Sequence, residues 1–146
     1  MGSKKDLRST TNLIILLLAA AGGLLSLYLW NSTLQGSVDF CTTNCEAVLT
    51  SPYSKILGIP VAALGFVYYA GMATLCFQRI HIKHILLDRM LAIAILAGIL
   101  FTIYLRYLEF GVIEEICMWC WGSVVTMLAI TITYVYWVIK DKVKLA

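Results

Sequence analysis

Charge is what this sequence has least of. Only 13% of its 146 residues are Asp, Glu, Lys or Arg, while 61% are hydrophobic and the mean hydropathy is +0.88. That excludes an ordinary soluble domain, whose surface has to face water. Histidine is almost missing: His81 and His84 stand together in one polar stretch, so the apolar runs hold no evident haem or iron–sulfur ligand set. Strict alternation of apolar and polar residues is absent, which disfavours a transmembrane β-barrel. No internal repeat, low-complexity segment or second domain is evident.

What remains is four continuous apolar runs, at residues 12–30, 60–77, 86–108 and 116–139. Each approaches the ~20 residues needed to cross a hydrocarbon core of ~30 Å. The expected fold is an all-α membrane protein, a four-transmembrane-helix bundle forming a single domain over residues 1–146, with a short outer-face loop at 31–59. The first run has a basic head (Lys4, Lys5, Arg8) like that of a signal peptide. It continues through Trp30, beyond the ~7–15 residues of a signal core, and reads as an uncleaved anchor.

Positive charge is also missing from two of the loops. The 31–59 loop has Lys55 against Asp39 and Glu46, and the third loop carries Glu109, Glu114 and Glu115, with Arg106 just inside its helix end. Lys4, Lys5 and Arg8, then Arg79, Lys83 and Arg89, then Lys140, Lys142 and Lys144 gather on the opposite side. The positive-inside rule makes that side, and both termini, cytoplasmic. Topology therefore accounts for the net charge of +3, with no nucleic-acid partner.

Four of the five cysteines form two close pairs, Cys41–Cys45 in the outer loop and Cys117–Cys120 opening the last run. Both lie at the outer face, where disulfides persist. Cys76, near the cytoplasmic end of the second run, reads as a packing residue. In a C-x-x-C at a helix N-terminus, the first thiol sits at the positive end of the dipole, which favours its thiolate. Cys117 is expected to be the exposed sulfur and Cys120 to face the bundle, with Glu114 and Glu115 opposing the thiolate. Redox-active pairs are preferred. Static disulfides in a non-catalytic scaffold and structural zinc stay open, although so small a closed loop stabilises little and the oxidising compartment of the C-x3-C pair suits zinc thiolates poorly. Exchange would carry electrons from the loop pair to the helix pair. A lipid-soluble acceptor reaching Cys120 from within the membrane then fits, and a quinone is one.

The loop itself predicts a short helix from Cys45 to Leu49, capped by Asn44 or Thr43 and interrupted at Ser51-Pro52. Tyr53 to Leu57 would lie on the membrane surface, and Gly58 and Pro60 would open the second spanning helix. The sequon Asn31-Ser32-Thr33 is read as a chance match.

Cys41…Cys45-Glu46-Ala47-Val48-Leu49-Thr50-Ser51-Pro52-Tyr53, then Gly58-Ile59-Pro60, then Cys117-x-x-Cys120, resembles the vitamin K epoxide reductase family, with the prokaryotic homologues that drive disulfide formation the closest. The resemblance covers nearly the whole chain. It implies a thiol:quinone oxidoreductase in which Cys41 exchanges with a thioredoxin-fold partner and Cys45 attacks Cys117. Cys120 would then react with a membrane quinone (ubiquinone, menaquinone or vitamin K type), with Ser51 supporting the quinone or the loop. The chain stops at Ala146, so the partner is expected to be a separate protein, and a prokaryotic cell membrane is favoured over the ER. The alternative within the family is a vitamin K quinone or epoxide reductase of the ER. Against it, the vertebrate asparagine at the start of the second helix and the tyrosine four residues beyond the C-x-x-C are replaced by Pro60-Val61-Ala62 and Val124. The C-x3-C loop pair is also shorter than the family's usual spacing.

Overall fold

A computed structural model describes residues 3–143; Lys144 and Ala146 lie outside these bounds, as do the side chains of Lys4, Lys5 and Lys142. Four long helices, each apolar enough to cross a membrane, make up most of the molecule. They are α1 (Ser3–Gln35), α3 (Val61–His81), α4 (Ile85–Leu108) and α5 (Met118–Val143). Between α1 and α3 lie the short α2 (Cys45–Thr50), one 3-10 turn (Pro52–Ser54) and a hairpin of β1 (Lys55–Ile56) and β2 (Ile59–Pro60). The helices close into a ring: α1 packs on α3 and α5, and α4 completes the circuit between them. This is the expected four-helix membrane bundle. Its lipid-facing surface is a coat of exposed Leu, Ile and Val side chains, among them Leu17, Val67, Ile93 and Leu128.

The spans are longer than the apolar runs, because helix continues beyond the lipid wherever polar residues can still pay out hydrogen bonds along the chain. α1 starts nine residues before its run and ends five after it, by the difference between Ser3–Gln35 and 12–30. Its buried stripe is Asn12, Ile15, Ala19, Gly22, Ser26 and Leu29, an alternating spacing of three and four that turns one face to the bundle. Small residues in that stripe allow close approach. A Cβ on Gly22 would come within 2.7 Å of the Tyr69 ring.

A second close approach shapes the interior. Gly98 lies under Tyr68, whose hydroxyl donates to the Ala94 carbonyl at 2.7 Å, and an added Cβ would also fall 2.7 Å from Met127 Cε. Gly98→Ala is expected to destabilise the bundle by about 1–3 kcal/mol, the usual cost of overpacking. Thermal unfolding in detergent measures it, and an unchanged midpoint would show that this wall can give way.

At the end opposite the two cysteine pairs, one buried guanidinium joins all four spans. Arg79 of α3, with no exposed side-chain surface, donates from Nη1 to Asn12 Oδ1 (2.7 Å) and from Nε to Asp88 Oδ1 (2.9 Å). Arg8 reaches the same carboxylate oxygen at 3.1 Å, and the Trp137 ring of α5 lies 5.1 Å from the Arg79 guanidinium carbon. Cys76 is fully buried one turn before Arg79 in the apolar core, the packing role expected of it.

The outer loop departs from its expected form in two places. Asn44 does stand at the N-cap position of α2, but neither its side chain nor Thr43's caps that helix. Tyr53 to Leu57 is not one surface segment: it splits into the 3-10 turn and the hairpin, whose two-residue turn Leu57-Gly58 has positive φ at both positions (53° and 83°). That pattern is the primed turn that matches strand twist. Glycine supplies it readily and leucine does not, so the sequence concealed it. Pro60 precedes the first turn of α3 as its N-cap.

Candidate active site

Both cysteine pairs come to the same end of the bundle. Cys41 and Cys45 form a disulfide; Cys45 is fully buried and Cys41 partly exposed. Cys117 and Cys120 are free thiols. Thr43 ties the pairs together. Its hydroxyl oxygen accepts from the Met118 N–H at 3.1 Å, satisfying one of the unpaired donors at the start of α5, and lies 3.6 Å from Cys45 Sγ. Asn44 donates to Glu115 at 2.6 Å, and Tyr28 donates to the Asp39 carbonyl at 2.7 Å. The loop is therefore pinned over the mouth of the bundle by α1, by α5 and by the segment before α5.

Cys117 is buried, not exposed as the C-x-x-C position suggested. The reason is the lid: α2 packs on α5 and covers the sulfur that begins it. Burial raises the cost of a thiolate, yet the Cys117 thiol sits below its ordinary value, first because of the hydrogen bond to it from the Cys120 thiol. The Cys120 backbone N–H, 3.2 Å from Cys117 Sγ, adds to that effect, as does the positive charge of Arg106. Thiolate reactivity at Cys117 is consequently present above this lowered value and lost as pH falls through it.

Arg106 and Glu109 are the two residues of the site that sequence reading passed over. A π-helical turn (Glu109–Ile113) follows α4 and begins at Glu109, which is only 2% exposed. One carboxylate oxygen accepts the Cys117 backbone N–H at 2.8 Å, and the other pairs with Arg106. The Arg106 guanidinium also stacks over Trp121, 5.4 Å from the ring centre. The signal available was an i, i+3 acid–base pair at a helix end just before a C-x-x-C. Glu115, expected to disfavour the thiolate, accepts a hydrogen bond from Asn44, which leaves its negative charge in place.

Beneath the lid lies a largely apolar cavity of about 420 Å³ with walls from all four spanning helices. Cys120 is the cysteine in its wall, joined there by Arg106, Glu109, Tyr68 and Ser51. A model of the vitamin K epoxide reductase family matches residues 13–135.

The chain belongs to the vitamin K epoxide reductase family.

The match takes in all four spans and both cysteine pairs, so the redox character of the vitamin K epoxide reductase family comes with the sulfurs needed to carry it. Ser51 stands at the cavity wall, but its hydroxyl proton is given to the Val48 carbonyl at 2.8 Å, closing α2. In this state the hydroxyl holds the loop, and its oxygen remains an acceptor at the cavity wall. No group of three or more His, Cys, Asp or Glu arranged to hold a metal occurs among the described residues.

Proposed function

We propose that this chain is a thiol:quinone oxidoreductase of the membrane, oxidising a separate thioredoxin-fold protein on its outer face. The observation that carries the reading is the placement of Cys120 in the wall of a 420 Å³ apolar cavity while Cys117, one turn away, is covered by the loop that holds Cys41–Cys45. That volume falls in the range of sites for drug-sized ligands, and the few polar groups in the wall suit a flat, mostly apolar molecule. A quinone bound there would take up two electrons and two protons.

The residues then divide the work. Cys41, the more exposed of the loop sulfurs, receives the partner's thiolate, and a mixed disulfide forms as the Cys41–Cys45 bond breaks. Cys45 is released as a thiolate and attacks Cys117, which requires the helix pair to be oxidised at that moment. Cys120 leaves that disulfide facing the cavity. The second partner thiol then frees Cys41, Cys41 displaces Cys117 from Cys45, and the loop disulfide is restored. The helix dithiol gives two electrons and two protons to the acceptor. The wall at the start of α3 offers Val61 and Ala62 and no amide, which favours a quinone over an epoxide as substrate. The outer face is assigned from the distribution of Lys and Arg, and a prokaryotic cell membrane from the family resemblance.

Purified protein mixed with a quinone and a reduced thioredoxin-fold protein, followed by quinone absorbance, tests this. Turnover that needs both components is the expected result. Absence of quinone reduction by wild-type protein carrying reduced cysteines would remove the proposal.

A further inference from the structure

We propose that Arg106, oriented by Glu109, is the positioning residue that stabilises the reactive thiolate of the Cys117–Cys120 pair. The inference rests on reading that pair as redox-active.

Three observations meet here. Glu109 is a carboxylate with 2% exposure that accepts the Cys117 backbone N–H at 2.8 Å, so it is anchored to the residue that starts the C-x-x-C. Its other oxygen pairs with Arg106, and Trp121 of α5 lies under the guanidinium, which fixes the cation from two sides. Arg106 then shares the cavity wall with Cys120, and its Nε is buried without a partner. Beyond the donor that Glu109 takes, this half-buried cation keeps its Nε free, and Cys120 is the sulfur in the same wall that can present an anion to it.

Other groups do not supply that charge. Tyr28 of α1 stacks on Trp119, and Tyr68 and Tyr69 of α3 face the cavity, bringing hydroxyls but no cation. From α2 comes Cys45, already in a disulfide, and the segment before α5 brings Glu115, held by Asn44. Arg106 is the one cation in the cavity wall among the described residues. Glu109 is its counterion, and the two therefore act on the thiolate with opposite signs.

That opposition is the test. In full-length protein with Cys41→Ser, Cys45→Ser and Cys76→Ala, only the helix thiols remain, and their ionisation is followed by thiolate absorbance and by the pH dependence of iodoacetamide alkylation. Arg106→Gln is expected to raise the ionisation midpoint by about one unit or more, and Glu109→Gln, which keeps an oxygen for the Cys117 N–H, to lower it. Arg106→Lys, which keeps the charge, restores most of the wild-type value. Should Arg106→Gln fail to fold because it strands Glu109, Arg106→Gln in the Glu109→Gln background leaves no carboxylate stranded, and its midpoint is expected to lie above that of Glu109→Gln alone. Shifts of the same sign in both single variants, or equal midpoints in the double variant and Glu109→Gln, overturn the proposal. No quinone is present in this measurement. Opposed shifts in a protein that reduces no quinone would uphold the role of Arg106 while removing the acceptor reading.

Discussion

Replacing Cys120 by alanine is expected to lower quinone-coupled oxidation of a dithiol partner by about 10³-fold or more, to the level of the uncatalysed exchange. Cys120 is the sulfur in the cavity wall, and no neighbouring group there can take over its two-electron chemistry. The loss should also leave a chemical trace. Without Cys120 the helix pair cannot close its own disulfide, but the Cys117 thiolate can attack the Cys41–Cys45 disulfide at Cys45 and release Cys41, and the resulting Cys45–Cys117 bond has no cavity-side thiol to resolve it. Cys117 is buried under α2, the helix that begins at Cys45, and Thr43 touches both the Cys45 sulfur and the start of α5. Peptide mapping without reductant should therefore find Cys45 linked to Cys117 in Cys120→Ala and not in Cys117→Ala. Undiminished turnover in Cys120→Ala would dismiss the relay, and with it the distinction from a scaffold held by static disulfides.

The second large effect lies at the far end of the bundle. Asp88→Ala is expected to cost about 3–5 kcal/mol, because it strands Arg79 in a fully buried position. Asn12 remains as one acceptor, but an amide oxygen does not neutralise a guanidinium. The unfolding midpoint in detergent should fall by about 10 °C or more. Arg79→Met combined with Asp88→Leu is expected to recover most of that loss, since a buried ion pair is often matched by apolar residues of similar volume. An unshifted midpoint in Asp88→Ala would mean that water reaches Arg79.

The bundle was legible because a lipid environment leaves so few choices: continuous apolar runs must become helices that satisfy their own backbone. Cys117-x-x-Cys120 at the start of α5, and its place at the same end as the loop pair, were legible for the same reason, as the runs put both pairs at one end. Burial was not legible. Whether Cys117 meets solvent depends on how a loop folds back over a helix terminus, and on Thr43 capping α5 instead of α2. Those are contacts between residues 75 apart in sequence. The role of Arg106 and Glu109 was hidden because it needs the chain beyond the π-helical turn to bring Cys117 back onto Glu109, eight residues earlier. The hairpin turn was hidden by Leu57, a residue that local rules place elsewhere.

The four-helix junction at Arg79 also governs the far end of the molecule. From Arg79 to Val61 is eighteen residues of α3, a lever of about 27 Å at the helical rise. Fastening the helices at one end makes that end a fulcrum, and a tilt of about 2° there swings the other by about 1 Å. Misplacement of that size is enough to cost roughly a hundredfold in a reaction that depends on alignment. Loosening the junction at Arg79 is therefore expected to misalign the two cysteine pairs at the opposite end of the bundle.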